Sequence, residues 1–166
     1  MIRKPIPLAA ALLTGIALYI TFADRSLPPA HAMTAHGTSK KTMVTVPLDA
    51  GMEAVVTLDH ETGDMTGYVL NRINGQFFIR YRHNVTIEFP KHGGSYLMAT
   101  GLADFRGFKS NARIASGVIY VSEESSGRVV AYAIPWNTQF ATNTSSNQDL
   151  KFIVLDQAAT RFTQLR

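Results

Sequence analysis

The sequence predicts an all-β protein, an antiparallel meander of hairpins forming a sandwich or a small barrel, placed behind an N-terminal hydrophobic helix. Three observations lead to that class. From about Met43 onward apolar and polar residues alternate as in strands, without the longer period of a helix. Segments such as EAVVTLD, QFFIRYR, GVIYVS and RVVAYAI are rich in β-branched and aromatic residues. Between them stand Gly, Asn, Pro and Ser, the residues of turns, and no amphipathic helix follows Ala32.

The chain begins MIRKP, a basic start, and Ile6 to Ala23 then runs without a charge. That run lies between the core of a secretory signal and the roughly 20 apolar residues of a spanning helix. Ala30-His31-Ala32 supplies a small-x-small cleavage motif. Residues 1–32 are therefore expected to be a signal peptide or a signal anchor. With Arg3 and Lys4 held inside, both readings send the body across the membrane. The expected location is the periplasm or cell envelope, tethered through residues 6–23 if the segment is not cleaved. Thr34 to Lys41 is poor in apolar residues, so residues 33–42 are expected to be a flexible linker. Residues 43–166 are the length of one all-β domain.

The body contains two related hairpins, expected over residues 53–70 and 116–134. In the first, the loop His60 to Gly63 places Asp59 opposite Asp64 and pairs Leu58 with Met65, Val56 with Gly67 and Ala54 with Val69. In the second, a loop with one extra residue, Glu123 to Gly127, pairs Val121 with Val129, Ile119 with Ala131 and Gly117 with Ala133. Asp59, Gly63 and Gly127 are the expected turn residues, the glycines because a loop end favours positive φ. Glu61, Glu123 and Glu124 then fall on solvated tips. Asn74-Gly75 signals another hairpin, and FIVLDQAATRF supplies one strand resembling the start of the first hairpin. Asn137 to Asp149 is expected to be a long exposed loop.

Net charge is +4, spread along the chain without the basic clusters and interleaved aromatics of a nucleic-acid groove, so no nucleic-acid partner is expected. There is no cysteine, which removes disulfides, thiolate zinc sites and a cysteine nucleophile. No phosphate-cradling glycine loop, dinucleotide fingerprint or nucleophile elbow is present, so no catalytic residue and no cofactor is expected. Asp59, Glu61 and Asp64 alternate like calcium ligands but lack the distal bidentate glutamate. His83 and His92 flank VTIEF without a third ligand, so no metal is expected. Glu53, Glu88 and Asp104 are nominal carboxylates only.

Trp136, the single tryptophan, follows a strand-ending proline and serves either as a partner anchor or as a core cap. Phe77, Tyr81 and Tyr96 are the aromatics expected at a ligand-binding barrel mouth. Gly67, Ala131 and Ala133 would permit close approach of another sheet.

YLMATGLADFR followed by VIYVSEESSGRVVAYAIPW resembles a group of small exported bacterial proteins in which a strand, an acidic Gly-ended turn and a second strand recur. That resemblance covers most of Thr45 to Leu155 and implies a compartment but no activity. Asp59 to Gly63 also resembles the D-x-x-T-G turn of quinoprotein-type β-propeller blades. The body is too short for a propeller of about four four-stranded blades, so that architecture would require several chains. The expected function is non-enzymatic: an envelope module that contacts envelope proteins or copies of itself. A small-ligand-binding domain with an aromatic-lined mouth is the alternative.

Overall fold

Alternating burial along Glu53–Asp59 and Asp64–Leu70 turns Ala54, Val56, Leu58, Met65 and Val69 to one side, so these two strands carry the first half of the core. The computed structural model describes residues 35–89, 95–105, 112–142 and 148–159. The expected signal or anchor segment, residues 1–32, lies outside the described residues, as does His92. Among the described residues no helix is long and apolar enough to cross a membrane.

In chain order the strands are β1 (Ala35–Gly37), β2 (Lys41–Pro47), β3 (Glu53–Asp59), β4 (Asp64–Leu70), β5 (Phe77–Asn84), β6 (Tyr96–Leu102), β7 (Ile114–Glu123), β8 (Arg128–Pro135), β9 (Gln148–Lys151) and β10 (Ile153–Ala159). Short 3-10 turns cover Asp49–Gly51, Val85–Ile87 and Thr138–Thr142. The larger sheet, A, runs β1-β2-β3-β4-β5-β9, and the smaller, B, runs β10-β8-β7-β6. Every pairing is antiparallel except β5 with β9. Both sheets turn their buried side chains into one core, with Leu58, Met65 and Tyr81 from sheet A meeting Ile119, Tyr132 and Ile134 from sheet B.

Polar bonds among the described residues also tie the sheets across this core. Tyr81 Oη donates to Pro135 O at 2.7 Å, and Thr100 Oγ1 donates to Thr45 O at 3.0 Å. Trp136 Nε1 donates to Asp49 O at 3.2 Å, and Tyr132 Oη to Glu88 Oε2 at 3.1 Å. Gly117 on β7 gives the closest approach: a Cβ there would stand 2.2 Å from Pro47 O and 2.6 Å from Val46 Cγ1. Only a residue without a side chain fits.

The first hairpin has the expected register, Leu58 to Met65, Val56 to Gly67 and Ala54 to Val69. The second is shifted by one residue from expectation: Val121 faces Val130, Tyr120 faces Ala131 and Val118 faces Ala133. Its loop has no extra residue, because Glu123 ends β7 opposite Arg128 just as Asp59 ends β3 beside Asp64. The physical reason is that a glutamate, one methylene longer than aspartate, folds back to cap the same loop.

The expected linker is also corrected. Within residues 33–42, Ala35–Gly37 forms β1 and Lys41 begins β2, with Ala35 opposite Val44 and Gly37 opposite Thr42. An edge strand needs only backbone partners, so its exposed side chains gave no apolar signal. At Asn71–Gln76 the hairpin connection is longer than a two-residue turn: Gly75 takes φ +70° and its N–H bonds to Asn71 O at 2.8 Å. Asn74 does not share the positive φ. Within the expected loop Asn137 to Asp149, Gln148 and Asp149 belong to β9.

Candidate functional site

The richest gathering of titratable side chains lies where the β3–β4 and β7–β8 hairpins turn. Each tip repeats the same bonding. Asp59 Oδ1 accepts from the amides of Glu61 at 3.0 Å and Thr62 at 3.1 Å, while Gly63 N–H donates to Asp59 O at 2.9 Å. Glu123 accepts from the amides of Ser125 at 3.1 Å and Ser126 at 2.7 Å, while Gly127 N–H donates to Glu123 O at 3.1 Å. Gly63 and Gly127 take φ of +73° and +61°. The hydroxyls of Thr62 and Ser126 then accept from Asp64 N and Arg128 N respectively. His60 N donates to Lys40 O and Glu124 N to Ser95 O, so each loop is also tied to the neighbouring strand's lead-in.

The two capping acids differ in environment. Asp59 stands beside Lys41, 3.3 Å away, and the Thr62 amide above all holds its carboxyl below the ordinary range. Glu123 is fully buried, not on a solvated tip. Burial pushes its carboxyl up, but the hydroxyls and amides of Ser125 and Ser126 together outweigh that and bring it down to about 2.

Behind these loops sits a buried polar layer. His83 Nε2 lies 2.9 Å from Glu88 Oε2, and the hydroxyl of Tyr132 reaches the same oxygen. A carboxylate only accepts, so Nε2 carries the proton in this bond. The His83 and Tyr132 rings meet at 5.2 Å. Tyr132's phenol is pushed up by burial first and by the Glu88 charge second. His60 Nδ1 faces Ser39 O at 3.3 Å and its Nε2 meets Thr42 Oγ1 at 2.8 Å. The carbonyl requires a proton on Nδ1, and Nε2 is satisfied by the Thr42 hydroxyl.

Tyr96 packs its ring edge-on against both His60 and Phe89. Its hydroxyl is buried and finds no hydrogen-bond partner among the described residues. A phenol held this way forfeits about 1–3 kcal/mol of hydration. Tyr96→Phe is therefore expected to leave the fold intact and to raise stability by up to about 1 kcal/mol in urea unfolding. A loss of more than that amount would mean the hydroxyl is bonded after all.

The aromatics expected at a ligand mouth do not come together in one. Tyr81 is fully buried between the sheets and bonded to Pro135 O. Tyr96 is buried in the polar layer, and Phe77 lies exposed on β5 against Tyr68, their rings 5.5 Å apart. Trp136 is buried, bonded to Asp49 O and packed edge-on against Phe140, which is the geometry of a core cap. Of the small residues, Gly67 receives Phe152 of the same chain: a Cβ there would stand 2.8 Å from Phe152 Cζ.

The nominal carboxylates are also separated. Glu88 is engaged by His83 and Tyr132, whereas Glu53 begins β3 at the other end of sheet A. Among the described residues no group of three or more His, Cys, Asp or Glu is placed to hold a metal ion. The alternating oxygens of the first tip are turned to other use, Asp59 toward amides and Asp64 toward Asn84 Nδ2 at 2.8 Å. Sequence reasoning missed His83, Glu88 and Tyr132 as a unit because they meet only when β8 crosses β5. No family model, curated protein or solved structure matches this chain.

Outside the core, the two sheets present unlike faces. Sheet A turns out Lys41, Thr57, Thr66, Arg80, Arg82 and Asp149 among Met43, Val55 and Tyr68, and several of the charges are ion-paired; Asp149 receives Arg80 at 2.6 Å and Arg82 at 3.0 Å. Sheet B turns out two rows, Leu97-Ser122-Val129-Ala158 and Ala99-Tyr120-Ala131-Asp156. Leu97 is 71% exposed and Tyr120 39%. The charge in these rows is Asp156, on the edge strand.

Proposed function

We propose that the protein is a non-enzymatic, exported envelope module, a two-sheet β-sandwich that associates with a second copy of itself through the outer face of sheet B. One observation carries the reading: six of the eight residues in the two outward rows are apolar, and Leu97 and Tyr120 stay in water in the single chain. An apolar stretch of that kind on a soluble surface is a signature of an interaction site. The small side chains of Ala99 and Ala131 flank Tyr120 on the two neighbouring strands, so the tyrosine stands above its row and gives the face the relief with which a second copy would interlock about a two-fold axis. The compartment rests on Arg3, Lys4 and the uncharged run Ile6 to Ala23.

Analytical ultracentrifugation of the full chain in mild detergent tests the association. A concentration-dependent dimer is expected, and Leu97→Glu with Tyr120→Glu is expected to shift it to monomer without changing the far-ultraviolet spectrum. A monomer at all concentrations, or a dimer indifferent to the double variant, would overturn the assignment.

A further inference from the structure

Asn74-Gly75 is the only Asn-Gly pair in the chain; every other asparagine is followed by a residue with a side chain. The pair lies in the connection between β4 and β5, where residues 72–77 are all exposed. An asparagine amide is open to attack by the backbone nitrogen of the next residue when no side chain on that residue obstructs the approach. Gly75 has none, and a Cβ added there would meet no atom within 4 Å.

The bonding of the turn favours this attack at one atom and opposes it at another. Gln76 N–H donates to Asn74 Oδ1 at 3.0 Å. Attack on Cγ places negative charge on that oxygen, and a donor already aimed at it stabilises the charge as it develops. Against this, Gly75 N–H donates to Asn71 O at 2.8 Å, and the nitrogen must first leave that acceptor. The opening is local, because the bond lies within the exposed turn and not in the core. Other described asparagines are placed differently. Asn71 is buried with its Oδ1 taken by Ile73 N–H, and Asn84 Nδ2 is held by Thr62 O and Asp64 Oδ1. Asn84 and Asn137 also precede the β-branched residues Val85 and Thr138.

We propose that Asn74 is a spontaneous modification site, converted in the folded protein to aspartate and isoaspartate through a cyclic imide with Gly75. Gly75 N gives its proton to solvent base and bonds to Asn74 Cγ. The Cγ–Nδ2 bond breaks, and the departing nitrogen takes up a proton and leaves as ammonia. Water then opens the imide at either carbonyl. Breaking the new bond at Cγ gives aspartate, and breaking the original bond between Asn74 C and Gly75 N gives isoaspartate. Either product lowers the formal charge of +4 by one. Aspartate keeps an acceptor for Gln76 N–H, whereas isoaspartate carries the backbone through the former side chain and lengthens the turn. The site is independent of the self-association described above.

The full chain is incubated in mildly alkaline buffer, folded and in parallel in concentrated urea. Peptides are then mapped by mass, and isoaspartate is detected by specific enzymatic methylation. Conversion is expected at Asn74 ahead of every other asparagine, with isoaspartate among the products. The folded rate is expected within about tenfold of the urea rate, the cost of giving up one hydrogen bond. Gly75→Ala is expected to slow conversion several-fold in both; the urea arm keeps that reading free of the strain alanine would meet at φ +70°. A folded rate below that range overturns the proposal, because conversion then waits for global unfolding. Aspartate without isoaspartate, faster conversion at another asparagine, or an unchanged rate in Gly75→Ala overturns it as well.

Discussion

Gly117→Ala is expected to destabilise the protein by about 3 kcal/mol, the upper end of the usual range for an overpacked core. The added Cβ would lie 2.2 Å from a backbone oxygen, Pro47 O, which has no rotamer by which to retreat. Relief requires moving β2 away from β7, and that separation also loosens the contact of Val46 with the core. Gly101→Ala provides the contrast, since its nearest neighbour is the ring of the half-exposed Tyr120 at 3.0 Å, free to swing into solvent. A small effect is expected there. Urea midpoints for the two variants, measured side by side, check the difference. Equal midpoints would show that the sheets can slide apart at little expense.

The second large effect is expected at Glu123. Glu123→Ala empties the buried site of the carboxylate and takes the acceptor from the Ser125 and Ser126 amides and the Ser125 hydroxyl, and a loss of about 3 kcal/mol is expected from charge-assisted hydrogen bonds of this kind. Asp59→Ala removes the equivalent acceptor on the more exposed tip, where water replaces it, and a clearly smaller loss is expected. Glu123 also predicts a pH response. Its carboxyl lies at about 2 in the folded chain against an ordinary 4.5. A lowered folded value means the unfolded chain binds the proton more readily, so the contribution is complete above about 4.5 and disappears as pH falls toward 2. Glu123→Gln is expected to flatten that part of the stability profile relative to the parent. Parallel profiles for the two proteins would place the acid sensitivity elsewhere.

Strand identity was legible in the sequence because alternation survives any arrangement of sheets: EAVVTLD and DMTGYVL bury one face wherever their neighbours lie. The first register was legible for the same reason, reinforced by acids on both sides of a four-residue loop. The second was misplaced by one residue because Glu123 resembles a solvated loop acid until its carboxylate is seen bonded to two amides. β1 left no signal, since backbone pairing alone forms it. The outward apolar rows of sheet B were hidden for a further reason. They alternate with core residues on every strand, so Leu97, Tyr120 and Val129 are indistinguishable in sequence from buried neighbours. The tie of His83, Glu88 and Tyr132 depends on residues far apart in the chain, and no local pattern encodes it.

β9 and β10 join different sheets, although only Phe152 separates them. Sheet A gains its last strand beside β5 and sheet B its last strand beside β8 from one short stretch, with Phe152 lodged over Gly67 between them. Earlier strands can pair as local hairpins during synthesis, but neither half of the molecule is complete until this stretch arrives. Closure is a late, non-local event, which slows folding relative to hairpin formation. A nascent chain of this design stays pliable until its final strands are made, and a single proteolytic cut before Gln148 would strip an edge from both sheets at once.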